Sequence, residues 1–159
     1  MHNIGSVLHV QLDLAFRVNL HEAADQQGGQ VIADGQVSAI VLNSGGANCY
    51  TGAQGFQTTH ATAEKVAELL QISAGDVLVC STGLIGEQLD REAVLSGVQL
   101  AVDDLSNHAG PLAAEAIMTT DSVAKTAHRV SSEGWSIGGM AKGAGMLAPG
   151  LATMLVVIT

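Results

Sequence analysis

The feature that most restricts the fold is an alternation of strand-like and helix-like patterns between residues 31 and 105. "QVSAIVLNSGG" has the pattern of a strand entering a glycine turn, and "DVLVC" that of a short buried strand. Each is followed by a segment with apolar residues at helical spacing. Because alternating strands and helices are typical of α/β proteins, the sequence predicts an α/β fold.

Two longer helices are predicted. In "TTHATAEKVAELLQIS", Thr58 or Thr59 is expected to cap the first turn, and the apolar face consists of Ala63, Val66, Ala67 and Leu70. In "EQLDREAVLSGVQLAVDDL", the apolar face consists of Leu95, Val98, Val102 and Leu105. A shorter helix is expected after Pro111, then two strands around the turn "SSEG", and the final "TMLVVIT" is strand-like. "VLHVQLDLAFRVNL" fits a strand or a helix.

Charge and composition exclude several classes of function. The chain has 15 acidic and 6 basic residues and a net charge of −9, which argues against binding nucleic acid or an anionic membrane surface. No apolar run reaches the length of a membrane helix, and the N-terminus lacks the basic region of a signal peptide. Neither the cysteines (Cys49 and Cys80) nor the six histidines have metal-ligand spacing, so we expect no metal. The cytoplasm is the predicted compartment.

Two glycine-containing loops follow the predicted strands. In "NSGGANCYTG", adjacent glycines allow backbone amides to approach an anion, although the spacing alone favours a tight strand-to-helix connection. In "CSTGLIG", a hydroxyl followed by glycine has the local design of an oxyanion hole, and an ordinary turn is the alternative.

Two further sites carry polar groups that suit a substrate. "IMTTD" offers two hydroxyls and an acid, either for a polar substrate or as a polar helix end. Lys142, in "GGMAKGAG", is either a point charge for a carboxylate or a solvated surface lysine.

Thr153 is the best candidate nucleophile, because an N-terminal threonine carries its own base, an α-amino group with a reference pKa of about 7.7–8.0. Attack of its hydroxyl on the Ala152 carbonyl, an N-to-O acyl shift and hydrolysis of the ester would create that N-terminus. The preceding "GAGMLAPGLA", with its proline and three glycines, supplies the unusual bend that this reaction needs.

Five phrases in this order resemble the ornithine acetyltransferase family, the bifunctional glutamate N-acetyltransferases of arginine biosynthesis. They are "VLNSGGAN", "TGAQGFQTTHATAEKVA", "CSTGLIGEQL", "EAIMTTD" and "GGMAKGAGMLAPGLATML", and they span about residues 31 to 157. The resemblance implies self-cleavage between Ala152 and Thr153, with Thr153 as the nucleophile. It also implies an oxyanion hole at Thr82 and Gly83, and substrate binding by Thr119, Lys142 and Thr153.

The resemblance further implies acetyl transfer from N-acetylornithine to glutamate through an acetyl-threonine, without a cofactor. Acetyl-CoA is an alternative donor in some members. The implied fold is a layered α/β sandwich of the self-cleaving, N-terminal-nucleophile-like kind, and the implied assembly is a heterotetramer of two chains from one precursor. Only Thr153 to Thr159 would belong to the second (beta) chain, so the fold would be incomplete here.

The sequence departs from the family pattern at its start. Residues 1–30 are expected to be a divergent N-terminal segment, and residues 31–159 a partial acetyltransferase domain. "GGANCYTG" also stands where the family more often has "GANACTG". Two other interpretations remain: a catalytically inactive truncated fragment that at most folds or binds, and an unrelated α/β ligand-binding module.

Overall fold

The computed structural model describes residues 6–9, 36–145 and 153–159. In these ranges the chain forms a mixed α/β fold, which confirms the predicted class. Its elements are β1 (Ser6–His9), β2 (Ala39–Asn43), α1 (Gly52–Leu70), β3 (Val77–Ser81), α2 (Arg91–Asp103), α3 (Gly110–Ala116), β4 (Lys125–Val130), β5 (Ser136–Lys142) and β6 (Leu155–Ile158), with a 3-10 turn at Ala74–Asp76 before β3. The sequence therefore predicted β2, β3, α2, α3, β4, β5 and β6 in the correct order.

The first sheet has the strand order β1-β2-β3. β2 and β3 are parallel, with Ala39 opposite Val77 and Asn43 opposite Ser81, and α1 connects them. β1 pairs antiparallel with β2. A strand therefore forms at the start of "VLHVQLDLAFRVNL", the segment whose pattern fitted either a strand or a helix. The rest of the divergent segment lies outside the described residues. Because β2 and β3 are parallel and in register, the loops after them leave the sheet at the same edge.

Helices α1 and α2 cover one face of the first sheet. Their buried side chains form a cluster with those of β2 and β3: Ala39, Val41, Ala63, Val66, Ala67, Val77 and Val98. Leu70 and Leu105 are partly buried against it. On the predicted face of α2, Val98 is buried and Val102, like Leu105, packs against the cluster. Leu95 is only partly buried, and Val94, which was not predicted, is buried as well.

The second sheet packs over the other face of the first. It has the order β4-β5-β6, with antiparallel pairing throughout. Its inward side chains share a cluster with α3 and the first sheet: Ile40, Leu42, Leu78, Ala113, Ala114, Ile117, Met140, Leu155 and Val157. Burial alternates along β6: Leu155 and Val157 are buried, and Val156 and Ile158 are exposed. One face of this strand therefore packs against the first sheet.

Helix α1 begins earlier than the sequence predicts. Thr58 and Thr59 lie inside the helix, where their hydroxyls donate to the carbonyls of Gln54 (3.1 Å) and Gly55 (3.3 Å), so the predicted cap is wrong. Asn48, which precedes the helix, donates its amide to the Gly55 carbonyl (3.1 Å) and to Thr59 Oγ1 (2.8 Å). These bonds tie the preceding loop to the helix but do not cap it, because the free backbone groups of a first turn are N–H donors. The N-cap residue, Thr51, makes no side-chain cap hydrogen bond.

The shared cluster predicts where stability resides. Leu42→Ala removes a fully buried side chain between the two sheets, and we expect it to lower the free energy of unfolding by about 2–5 kcal/mol. Urea denaturation followed by circular dichroism measures this change. Leu100→Ala, the same substitution at a side chain that is 67% exposed, should change stability by less than about 0.5 kcal/mol. Equal effects of the two substitutions would contradict this packing.

Candidate functional site

The two glycine-containing loops meet at the edge of the first sheet. The amide of Thr82 donates to the Asn43 carbonyl (2.8 Å), and Thr82 forms an isolated antiparallel bridge with Gly46. Farther along, the amide of Ala47 donates to the Leu84 carbonyl (2.9 Å). Backbone pairing therefore extends beyond the parallel strands, now in antiparallel form, and it brings the predicted anion loop against the predicted oxyanion loop.

Gly83 is required by this close approach. Its φ is +131°, which side-chain-bearing residues rarely adopt. A Cβ at this position would lie 2.9 Å from the Gly46 Cα and 3.0 Å from the Gly46 nitrogen, both of them backbone atoms. Glycine at position 83 thus allows the two loops to touch.

The Asn43 side chain shapes the opposite loop. Its Oδ1 accepts from the amide of Gly45 (2.9 Å), and its Nδ2 donates to the Gly46 carbonyl (3.3 Å). The Ser44 hydroxyl then donates to the carbonyl of Ala116 at the end of α3 (2.6 Å). These bonds connect the loop to the segment that leads into "IMTTD".

Lys142 joins three distant parts of the chain. Its ammonium donates to Thr119 Oγ1 (2.6 Å) and to Thr82 Oγ1 (3.2 Å), and the residue is only 4% exposed. The surface-lysine interpretation is therefore wrong. Because an ammonium group only donates, both hydroxyls accept here and keep their own hydrogens for other partners. Three residues that the sequence singled out separately form one hydrogen-bonded group.

Asp121, the acid of "IMTTD", completes this group. Its side chain is fully buried, and Oδ2 lies 3.9 Å from Lys142 Nζ. Oδ1 accepts from Lys125 Nζ and from the amide of Gly143 (2.7 Å), and Oδ2 accepts from the amide of Thr119 (3.4 Å). The acid in "IMTTD" was the available signal, but nothing in the sequence shows which groups would surround it.

The surroundings shift the pKa values of both charged groups. Burial acts to raise the pKa of Asp121, but the hydrogen bonds from Lys125, Gly143 and Thr119 outweigh it and lower the pKa from 3.8 to about 2. For Lys142, burial lowers the pKa below its ordinary 10.5; the Asp121 carboxylate acts to raise it, and Lys125 lowers it. Asp121 is therefore ionised at neutral pH and favours the charged form of Lys142.

Thr153 lies at the end of the second sheet where Lys142 lies. It is half-buried and precedes β6, whose first residue, Leu155, is opposite Lys142. Met154 approaches Gly143, the residue that follows β5, since a Cβ on Gly143 would be 3.3 Å from Met154 Cγ. Direct hydrogen bonds thus connect Thr82 and Thr119 to Lys142. Thr153 is placed at the same end of the sheet by the pairing of β5 with β6. Ala152 lies outside the described residues.

Within the ranges that the structure describes, no group of three or more histidine, cysteine, aspartate or glutamate side chains is arranged to hold a metal ion. In the same ranges, no helix has both the length and the apolar character needed to cross a membrane. The candidate site is accordingly built from hydroxyls, backbone amides, two lysines and one carboxylate.

The chain resembles known proteins over most of its length. The ArgJ family model matches residues 12–159, and so begins inside the segment that carries none of the recognised phrases. The arginine biosynthesis bifunctional protein ArgJ of Streptomyces avermitilis is 65% identical over 130 residues, which are 82% of this chain and 34% of that protein. Its counterpart in Thermobifida fusca is 55% identical over 152 residues, which are 95% of this chain and 39% of that protein. The chain spans about a third of the length of these curated relatives.

Solved structures agree with this match. The ornithine acetyltransferase of Mycobacterium tuberculosis, solved as a complex with ornithine, is similar with a TM-score of 0.76 and 42% identity, over 92% of this chain and 78% of that one. The arginine biosynthesis bifunctional protein argJ of Bacillus halodurans gives a TM-score of 0.69 and 27% identity, over 94% of this chain and 75% of that one. The matched range contains Thr82, Thr119, Lys142 and Thr153, and the chain belongs to the ArgJ family.

Proposed function

We propose that this chain is the first-subunit part, with the cleavage site, of a cytoplasmic glutamate N-acetyltransferase that takes acetyl from N-acetylornithine. The observation that carries the proposal is the buried ammonium of Lys142, hydrogen-bonded to both Thr82 and Thr119. Relatives named for arginine biosynthesis, and a structural neighbour solved with ornithine, support it. Because the chain spans about a third of those relatives, the activity of the whole enzyme is part of the proposal.

The proposed chemistry starts with self-cleavage. Thr153 Oγ1 attacks the Ala152 carbonyl carbon, the peptide C–N bond breaks, and an ester forms while the α-amino group is freed. Water then hydrolyses the ester and leaves a carboxylate on Ala152 and a free hydroxyl on Thr153. The freed amine is the base that activates this hydroxyl.

Acetyl transfer uses the same hydroxyl twice. Thr153 Oγ1 attacks the acetyl carbonyl of N-acetylornithine, the amide C–N bond breaks, and ornithine leaves with a proton on its amine. The amine of glutamate then attacks the acetyl ester and regenerates the hydroxyl. In members that use acetyl-CoA, the thioester replaces the first amide, and no cofactor takes part in either step.

The other site residues have supporting roles in this scheme. The Thr82 hydroxyl and the Gly83 amide stabilise the oxyanion of each tetrahedral intermediate. Lys142 and Thr119 bind the substrate, since two of the three ammonium hydrogens are already directed to hydroxyls and the third is available to a carboxylate. The surrounding fold is a layered α/β sandwich of the self-cleaving kind, completed by a second chain in a heterotetramer. In that scheme residues 31–159 are the acetyltransferase part.

The second candidate function is that of a folded fragment that at most folds or binds and does not turn over substrate. The match covers about a third of each curated relative, so co-expression with the remaining part of a relative separates the two candidates.

Self-cleavage is directly testable by mass. We expect denaturing intact-mass analysis to show a chain that ends at Ala152 and the heptapeptide "TMLVVIT", because Thr153 attacks the preceding carbonyl. Thr153→Ala should remain whole. Thr126→Ala, a matched change on the exposed strand β4, should cleave like the unsubstituted chain. An uncleaved parent chain, or cleavage of Thr153→Ala, would contradict the proposal.

Acetyl transfer tests the role of Lys142. We expect no transfer from N-acetylornithine to glutamate by the chain alone, and transfer when the remaining region of the Streptomyces avermitilis relative is co-expressed. Lys142→Met should lower kcat/KM about 10- to 100-fold, the loss expected for a hydrogen bond to a charged group. Lys65→Met, on the outer side of α1 where Lys65 pairs with exposed Glu68, is the matched control and should leave the rate unchanged. Turnover by the isolated chain, or equal effects of the two substitutions, would count against this assignment.

A further inference from the structure

The Asp121 carboxylate is a buried charge that the proposed chemistry leaves without a task. An isolated carboxylate in a protein interior is strongly disfavoured, so its contacts must offset the lost hydration. Here they are the Lys125 ammonium, the amides of Gly143 and Thr119, and the nearby ammonium of Lys142. The carboxylate thus accepts three hydrogen bonds and has a second ammonium group nearby.

These contacts fix both partners of the shortest bond that Lys142 makes. Thr119, whose hydroxyl accepts from Lys142 at 2.6 Å, donates its own backbone amide to Asp121. Gly143, the residue directly after Lys142, donates its amide to the same carboxylate at 2.7 Å, and its φ of +154° departs from that of a continuing strand. Asp121 therefore holds the backbone at the acceptor and beside the donor.

The charges in this group do not cancel. Two ammonium groups, of Lys142 and Lys125, face one carboxylate, and Lys125 is 43% exposed whereas the side chain of Lys142 is 4% exposed. Asp121 reduces the repulsion between the ammonium groups and leaves one net positive charge at the buried end. In that balance Asp121 favours the charged form of Lys142, which suits an anionic substrate group.

We propose that Asp121 is a positioning residue, which aims the Lys142 ammonium at Thr119 and Thr82 and screens it from Lys125. The inference deepens the proposed function and rests on it, since Lys142 is useful only if it meets a substrate anion. Asp121 itself touches no reacting atom in this scheme.

The test is a pH titration of the Lys142 side chain by NMR. Lysine 13Cε and 15Nζ signals are recorded in the full chain carrying Thr153→Ala, which blocks the proposed cleavage, and the Lys142 signal is identified by its loss in Lys142→Met. Asp121→Asn keeps the size and a hydrogen-bond acceptor but removes the charge, so the pKa of Lys142 should fall further. Lys125→Met removes the repelling ammonium, so the pKa should rise. In the described residues, Asp121 and Lys125 are the charged groups that act on Lys142.

Shifts in opposite directions support the proposal, because a purely structural role of Asp121 would not respond to charge in this way. An unchanged Lys142 pKa in Asp121→Asn, or shifts of the same sign in the two variants, would overturn it. Since no turnover is measured, failure of cleavage or acetyl transfer would not change this result. An unchanged Lys142 pKa, in turn, would not contradict the proposed cleavage or acetyl transfer.

A measurement on the Thr153→Ala chain with Asp121 and Lys125 intact covers the case in which Asp121→Asn does not fold. The amides of Gly143 and Thr119 should keep constant proton shifts from pH 6 down to about pH 3, because Asp121 stays ionised well below its ordinary pKa of 3.8. A shared transition of both amides near pH 3.8 would contradict the contacts on which the proposal is built.

Discussion

The candidate site depends on the burial of one ammonium group. Placing an unpaired ammonium in a protein interior costs on the order of several kcal/mol, so Lys142 can be buried only where partners are already in place. Those partners come from residues 23 and 60 positions away in the sequence. The bonds therefore form only after β5 has packed over the first sheet, and they tie the loop after β3 to the end of the second sheet.

The candidate site also depends on the parallel pairing of β2 and β3, which brings together the loops that follow them. Its register places Asn43 opposite Ser81, so the two loops begin side by side, and the absence of a side chain at Gly83 lets them touch. Thr82 is then 1% exposed, with its hydroxyl accepting from Lys142. A hydroxyl fixed in this way loses little further freedom when it donates to a developing negative charge, which is what preorganised stabilisation requires.

The sequence was informative about local structure and less so about contacts between distant residues. Short apolar runs bounded by turn residues predicted β2 and β3, and an apolar pattern at helical spacing predicted α2, because these patterns reflect which positions are buried. The predicted start of α1 was wrong because the helix begins at Gly52 without a side-chain cap, so that Thr58 and Thr59 lie inside it. The sequence left Lys142 undecided between surface and site, since burial of a lysine depends on partners brought from elsewhere. Asp121 was missed for the same reason: Lys125 is four residues away in the sequence, but Gly143 and Lys142 meet Asp121 only in the folded chain.

The position of β6 bears on how the proposed cleavage relates to the fold. Leu155 and Val157 are buried in the cluster between the sheets, and burying such a side chain contributes about 1.5–3 kcal/mol. Beyond the strand, Gly138 and Thr159 exchange two backbone hydrogen bonds of 2.8 Å. Cutting the bond before Thr153 would break neither the pairing nor the burial. The new N-terminus would therefore stay at the end of the second sheet where Lys142 lies, held there by the strand that follows it.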